Sequence, residues 1–158
     1  MIPKTGKPHA MSSCTLCKTQ IPQAAPEPWT TPAGGLFHVA RSATPSAVAE
    51  TSVGEFEICE ACYHRGLPSF FTSQDVAEIH HQFGLEYSQS EQFDRSVESL
   101  TQARRISETA DIVAALAHAE DALGHRDMAI AHYRRALEID PSHFMSRQNL
   151  QRIDEGAA

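Results

Sequence analysis

The rhythm of apolar and polar positions changes close to residue 72. Before it, Gly54–Ile58 alternates Phe56 and Ile58 with Glu55 and Glu57, a period of two that predicts a short half-buried strand. Gly35–Arg41, with Leu36, Phe37, His38 and Val39, predicts a second strand. Pro26-Glu-Pro28 and Thr31-Pro-Ala-Gly-Gly35 are turn signals. Ser42–Val53 is rich in Ala, Ser and Thr and contains one proline, so it is expected to be a mobile hairpin tip between the two strands. After Thr72 the texture is helical. Thr72-Ser-Gln-Asp75 fits the pattern in which a hydroxyl and a carboxylate three residues later cap a helix start, and no proline follows until Pro141. Pro68 and the pair Phe70–Phe71 mark the junction, where the two rings are expected to dock one half onto the other.

The helical half repeats itself. A shift of 33 residues lays Phe83, Ser96, Leu100 and Ala103 on Leu116, Ala129, Tyr133 and Ala136. A period of this length, built from helix pairs, predicts a stacked helical repeat. The stretch from Leu116-Ala117 through Gly124, Ala129, Tyr133 and Ala136 to Pro141 resembles the tetratricopeptide repeat. The preceding copy, Phe83-Gly84, Tyr87, Phe93, Ser96, Leu100 and Ala103, is a more degenerate version. It has Ser96 at a position where the family prefers alanine and Glu108 near the place of the closing proline. The second copy has Glu120 where the family favours tyrosine. Ser142–Glu155, with Phe144, Met145, Leu150 and Ile153, is expected to form a capping helix.

The resemblance implies a concave face lined by the first helix of each repeat. Its positions fall on His81, Leu85 and Ser88 in the first copy and on Asp111, Ala114, His118 and Asp121 in the second, with Arg147 or Arg152 projecting from the cap. The implied partner is a protein or peptide. The carboxylate-clamp variety of the family needs Lys and Asn at such positions, where this chain has His81, Leu85 and Ala114, so a chaperone's acidic C-terminus is not the expected ligand. An acidic, histidine-bearing groove prefers a basic or neutral peptide. Two repeats are fewer than the three or so that stand alone. The open face at the start of the first repeat therefore needs a cover, either the first half of the chain or a second copy in a homodimer.

Charge sharpens this division. Residues 1–72 balance five Lys/Arg against five acids, whereas residues 73–158 carry eight arginines, no lysine and fifteen acids. The helical half holds the whole formal charge of −7, which disfavours nucleic acid as its partner. No run approaches the roughly 18 apolar residues of a membrane span. Met1–Pro8 has two lysines with no apolar stretch behind them, so no secretory signal is read and a cytoplasmic location is expected.

In such a reducing compartment the chain's four cysteines, Cys14-Thr-Leu-Cys17 and Cys59-Glu-Ala-Cys62, read as metal ligands rather than disulfides. Two C-x-x-C pairs can supply the four thiolates of a tetrahedral structural zinc site. Such a site leaves no open position for water or substrate and argues against catalysis. The segment looks like a zinc ribbon, or a treble clef if Cys62-Tyr-His-Arg-Gly opens a short helix. Lys18 and Tyr63 stand where a glycine often follows such knuckles. A zinc-thiolate redox switch is the competing use of the same sulfurs. Glu57 and Glu60 beside Cys59 make the second pair poor at nucleophilic attack.

Other chemistry is sparse. His80 and His81 point about 100° apart on a helix and do not share an ion well. His118, His125 and His132 recur every seven residues, but Gly124 interrupts them with a turn. His64 could replace a cysteine ligand, although four sulfurs already fill the site. No nucleophile elbow, phosphate loop or dinucleotide fingerprint is present. The expected fold class is α+β, in three parts. A leader at 1–12 precedes a β-rich four-cysteine module at 13–68, and 69–155 form an all-α repeat of two helix pairs with a cap. The expected function is that of a non-enzymatic adaptor with a structural Zn2+. The rival is a regulatory zinc-ribbon protein associated with nucleic acid, against which the aromatics Trp29, Phe37, Phe56 and Tyr63 are not interleaved with basic residues.

Overall fold

The protein is described from a computed structural model that covers residues 12–21, 27–30, 36–39 and 45–156. The expected leader, apart from Ser12, and the turn signals at 31–35 lie outside these residues. Three antiparallel hairpins come first: β1 (Ser12–Ser13) with β2 (Gln20–Ile21), β3 (Glu27–Thr30) with β4 (Leu36–Val39), and β5 (Ser46–Thr51) with β6 (Gly54–Cys59). Helix α1 (Glu60–Arg65) runs directly out of β6. Five longer helices follow: α2 (Ser73–Gln89), α3 (Phe93–Ile106), α4 (Ala110–Ala122), α5 (Arg126–Ile139) and α6 (Phe144–Gly156). The α+β architecture, a small sheet region with the cysteines followed by two helix pairs and a capping helix, is the expected one.

One part of the strand reading is corrected. Residues 46–51 are not a hairpin tip; they are strand β5, paired with β6 from Ser46↔Cys59 to Thr51↔Gly54. The strand at 36–39 pairs instead with β3, through Trp29↔Phe37 and its neighbours. The reason is size. Ala47 and Ala49 are buried against α2 while Val48 between them is exposed, so the period of two is present but is written in small residues that let the helix approach. The turn that closes this hairpin is held from outside, because the Ser52 amide and hydroxyl both donate to the Asp75 carboxylate at 2.6 Å.

Asp75 also completes the cap of α2. Its amide donates to the Thr72 hydroxyl at 3.1 Å, and its carboxylate accepts from the Thr72 amide at 2.8 Å. The predicted capping box is therefore present. From it, Val76, Ile79, Phe83 and Tyr87 form an apolar stripe that joins Ile21, Ala47, Ala49, Ile58 and Phe71 in one core with Cys14, Cys59 and Cys62. The docking expected at the Phe pair is carried by Phe71, whose ring meets Phe56 edge-on at 5.2 Å, while Phe70 stays half exposed.

Within each pair a small residue admits a large one. A Cβ added to Gly84 of α2 would lie 2.4 Å from Leu100 Cγ of α3, so the two helices meet at a glycine. Ser96 turns its hydroxyl onto the Gly84 carbonyl at 2.7 Å. In the second pair Ala117, Ala129 and Tyr133 cluster with Ile153 of the cap. The turns match too: Glu91 and Gly124, equivalent under the 33-residue shift, both adopt positive φ, at 59° and 83°. Glu108, standing near the place of a closing proline, ties the pairs together by accepting from Arg104 at 3.0 Å and Arg135 at 2.9 Å. These two guanidinium groups, Arg135 foremost, pull its pKa down to about 2.

Candidate functional site

The first candidate is the cysteine cluster. β1 and β2 hold the turn that carries Cys14 and Cys17, and the Lys18 amide donates back to the Cys14 carbonyl at 2.8 Å. Lys18 takes the left-handed conformation (φ 61°) that glycine would adopt freely, so the knuckle keeps its shape without glycine. Cys59 ends β6 as the N-cap of α1, and Cys62 lies inside that helix. The Thr15 amide donates to the Glu57 carbonyl at 2.8 Å, stitching the first knuckle to β6.

The four Sγ atoms lie within 4.8 Å of one another, and Cys17 and Cys59 approach to 3.7 Å. A tetrahedral ion with zinc–sulfur bonds of about 2.3 Å needs sulfur edges of about 3.8 Å. The donor set therefore fits a metal, and these residues could hold one. Its electrostatics point the same way. Burial opposes ionisation of Cys14, but backbone N–H groups of Cys17, Cys59 and Leu16 outweigh it and hold the pKa below the ordinary thiol value. Thr19 brings Cys17 down to about 6 through its side chain and its backbone. Burial raises Cys59, and burial with the three neighbouring sulfurs pushes Cys62 up to about 12. Four thiolates crowd too closely to ionise together unless a cation joins them. His64 stands outside the cluster and faces the Tyr87 hydroxyl at 3.1 Å.

The second candidate is a groove. α2 supplies His81 and Leu85; α4 supplies Asp111, Ala114, Ala115 and His118; His143, Met145 and Asn149 close the far side. They line a cavity of about 430 Å³. Five of the seven residues expected on a concave face are thus together. The other two are not among its lining residues. Asp121 is paired with Arg152 of α6, and Ser88 lies in the last turn of α2, where its carbonyl accepts from the Glu91 amide at 3.1 Å. Of the arginines expected from the cap, Arg152 is that partner of Asp121 and Arg147 donates to the Pro141 carbonyl at 2.7 Å. The cap contributes His143 instead, whose Nε2 meets Asp111 at 3.0 Å and whose Nδ1 meets the Ser146 hydroxyl at 2.8 Å.

Helices of this length, paired and stacked with a glycine or alanine at each crossing, are the geometry of a helical repeat. Residues 110–143 match the tetratricopeptide repeat family profile. The match spans α4, α5 and the turn into α6. Among solved structures, MamA superposes with a TM-score of 0.51 at 22% identity, over 53% of this chain and 50% of that one, which shows the shared fold. A thermophilic tetratricopeptide protein of Thermus thermophilus is 34% identical over 49% of this chain and 40% of its own, with a TM-score of 0.45. The first tetratricopeptide domain of Spaghetti (RPAP3), bound to an HSP90 peptide, is 18% identical over 51% of this chain and 65% of its own, with a TM-score of 0.49. The chain thus spans less than two thirds of each of these structures. A search of curated proteins finds no match. No helix among the described residues is long and apolar enough to cross a membrane.

Sequence reasoning missed Ala115, His143, Met145 and Asn149 as lining residues. Extending the shift by another 33 residues puts Met145 and Asn149 on Ile112 and Leu116, both buried in α4. The buried residues of the cap, Ser146 and Ile153, fall on Val113 and Glu120, which are also buried in α4; Met145 and Asn149 differ from their buried counterparts in lining the groove.

Proposed function

We propose that the chain is a non-enzymatic adaptor that binds a segment of a partner protein in the groove between α2, α4 and α6, beside a structural zinc site. The observation that carries this reading is the cavity of about 430 Å³, which gathers His81, Leu85, Asp111, Ala114 and His118 from two helices separated by a full repeat. Its walls at Leu85, Ala114, Ala115 and Met145 are apolar, and its lining includes a carboxylate but no lysine or arginine. Such a surface suits an extended or helical peptide with an apolar anchor and a neutral or basic flank. It does not suit an acidic C-terminus.

The sulfur geometry supports zinc as the ion, and its role is folding rather than chemistry. The first pair of ligands on a hairpin turn and the second pair at the start of a helix favour the treble-clef arrangement over the ribbon. The expected location is the cytoplasm, where thiolates stay reduced.

A pull-down from lysate of the native organism tests the groove. Wild type is compared with a variant carrying His81→Ala, Asp111→Ala and His118→Ala. A protein enriched on wild type and lost on the variant supports the adaptor. Equal recovery on both, or retention on heparin with nucleic acid recovered alone, moves the binding surface to the four-cysteine half.

A further inference from the structure

Beside β5 and Ser52, the residues that follow two of the cysteines also grip the helical half. Glu60, next after Cys59, accepts from the Tyr87 hydroxyl of α2 at 2.8 Å and from Arg95 of α3 at 2.5 Å. Tyr63, next after Cys62, stacks on Phe83 of α2 at 3.9 Å with the rings 10° from parallel. Its hydroxyl donates to Ser99 of α3 at 2.9 Å and lies 2.6 Å from His80 Nδ1. Both belong to α1, which has six residues. A helix so short has no stability of its own, since isolated helices need roughly 12–15 residues even to be marginal. On its other side α1 is joined to the cysteine cluster, by Cys59 at its N-cap and Cys62 in its first turn.

α2 is gripped on one side and forms the groove on the other. Ile79, Phe83 and Tyr87 lie in the core shared with Cys14, Cys59 and Cys62, whereas His81 and Leu85 line the cavity. A second cavity, of about 190 Å³, opens beside Cys17 and Cys62 between Leu16, Arg65 and Pro68, which gives an ion or chelator a route to the sulfurs.

We infer that metal occupancy of the four cysteines, acting through Glu60 and Tyr63, fixes α2 and so controls the wall of the partner groove. This rests on the zinc reading given above. With the ion bound, α1 caps the first helix pair. When it leaves, the capping side chains lose their platform, and α2 loosens while α4 and α5 keep their own core.

The test is hydrogen exchange on the full chain, zinc-loaded and chelator-stripped, with bound zinc counted by elemental analysis. Amides of residues 76–87 should exchange at least about tenfold faster without metal, and those of α4 and α5 should change little. A Tyr63→Leu variant keeps every cysteine; it should retain its zinc but lose most of this metal-dependent difference in α2. Zinc bound with α2 unresponsive overturns the coupling and leaves the zinc reading intact. An equal response in Tyr63→Leu also overturns the route. A chain that binds no zinc when loaded removes the zinc reading and the coupling with it.

Discussion

In the first helix pair a glycine faces a leucine; in the second, an alanine shares its cluster with a tyrosine. Gly84 and Leu100 fall on Ala117 and Tyr133 under the same shift, and both pairs close without leaving these residues exposed. The volume is divided differently because the neighbours differ. The first pair turns Phe83 and Tyr87 toward α1 and the cysteines, where rings have something to stack on. At the position of Tyr87 the second pair has Glu120, which reaches its own turn and meets His125 Nδ1 at 2.6 Å. Repeat identity thus lies in the crossing between helices, and departures from it mark a change in what lies alongside.

The largest effect that would sharpen this contrast is loss of a cluster cysteine. If the cysteines hold the proposed zinc, Cys62→Ser should remove most of a contribution on the order of 10 kcal/mol to folding of the first half. Exchange should show residues 45–66 unprotected while α4–α6 persist, and cooperative loss of both halves together would break the comparison. Gly84→Ala comes next. It forces Leu100 aside and should cost about 1–3 kcal/mol in urea unfolding, against about 1 kcal/mol for Ala117→Gly in the second pair.

The two tyrosines should then respond in opposite directions. Tyr87→Phe removes a hydroxyl bonded to Glu60 and should destabilise by about 1 kcal/mol. The Tyr133 hydroxyl is buried with no hydrogen-bond partner among the described residues, so Tyr133→Phe should be neutral or slightly stabilising. The turns give a smaller test. Glu91 holds the left-handed conformation that Gly124 holds at the equivalent place, so Glu91→Gly should stabilise by up to about 1 kcal/mol.

The last effect is confined to acid. Hydrogen bonds from Ser52, with Thr72 adding its own, hold the Asp75 carboxyl down at about 2. Because this pKa is depressed, the stability it confers is complete above the ordinary carboxylate value near 4 and fades as pH falls toward 2. Urea midpoints measured between pH 5 and pH 2 should therefore drop more steeply for wild type than for Asp75→Asn.

What could be read from the sequence follows from how local each signal is. The cap at Thr72 and Asp75 spans four residues, and the packing positions Ser96, Leu100 and Ala103 recur in the second copy, so both could be recognised. Strand β5 could not, because its core face is alanine and its pairing depends on a helix 23 residues further on, through Ser52 and Asp75. The cysteines were legible as a set from spacing alone, whereas the contact from Tyr63 to Ser99 crosses 36 residues with no periodic trace. In the groove, the family resemblance pointed to five of the lining residues on α2 and α4, added Ser88 and Asp121, which do not line it, and missed Ala115 and the residues from the cap.

Gly84 and Leu100 also constrain how this sequence can drift. Because each occupies the space the other would need to grow into, neither position can change freely alone. Among related chains the two should vary as a linked pair, with any larger residue at 84 accompanied by a smaller one at 100. The alanine–tyrosine solution of the second pair lies outside this exchange, because it is larger at both positions and its tyrosine shares a cluster with Ile153 of the cap; no trade of volume between 84 and 100 alone reaches it.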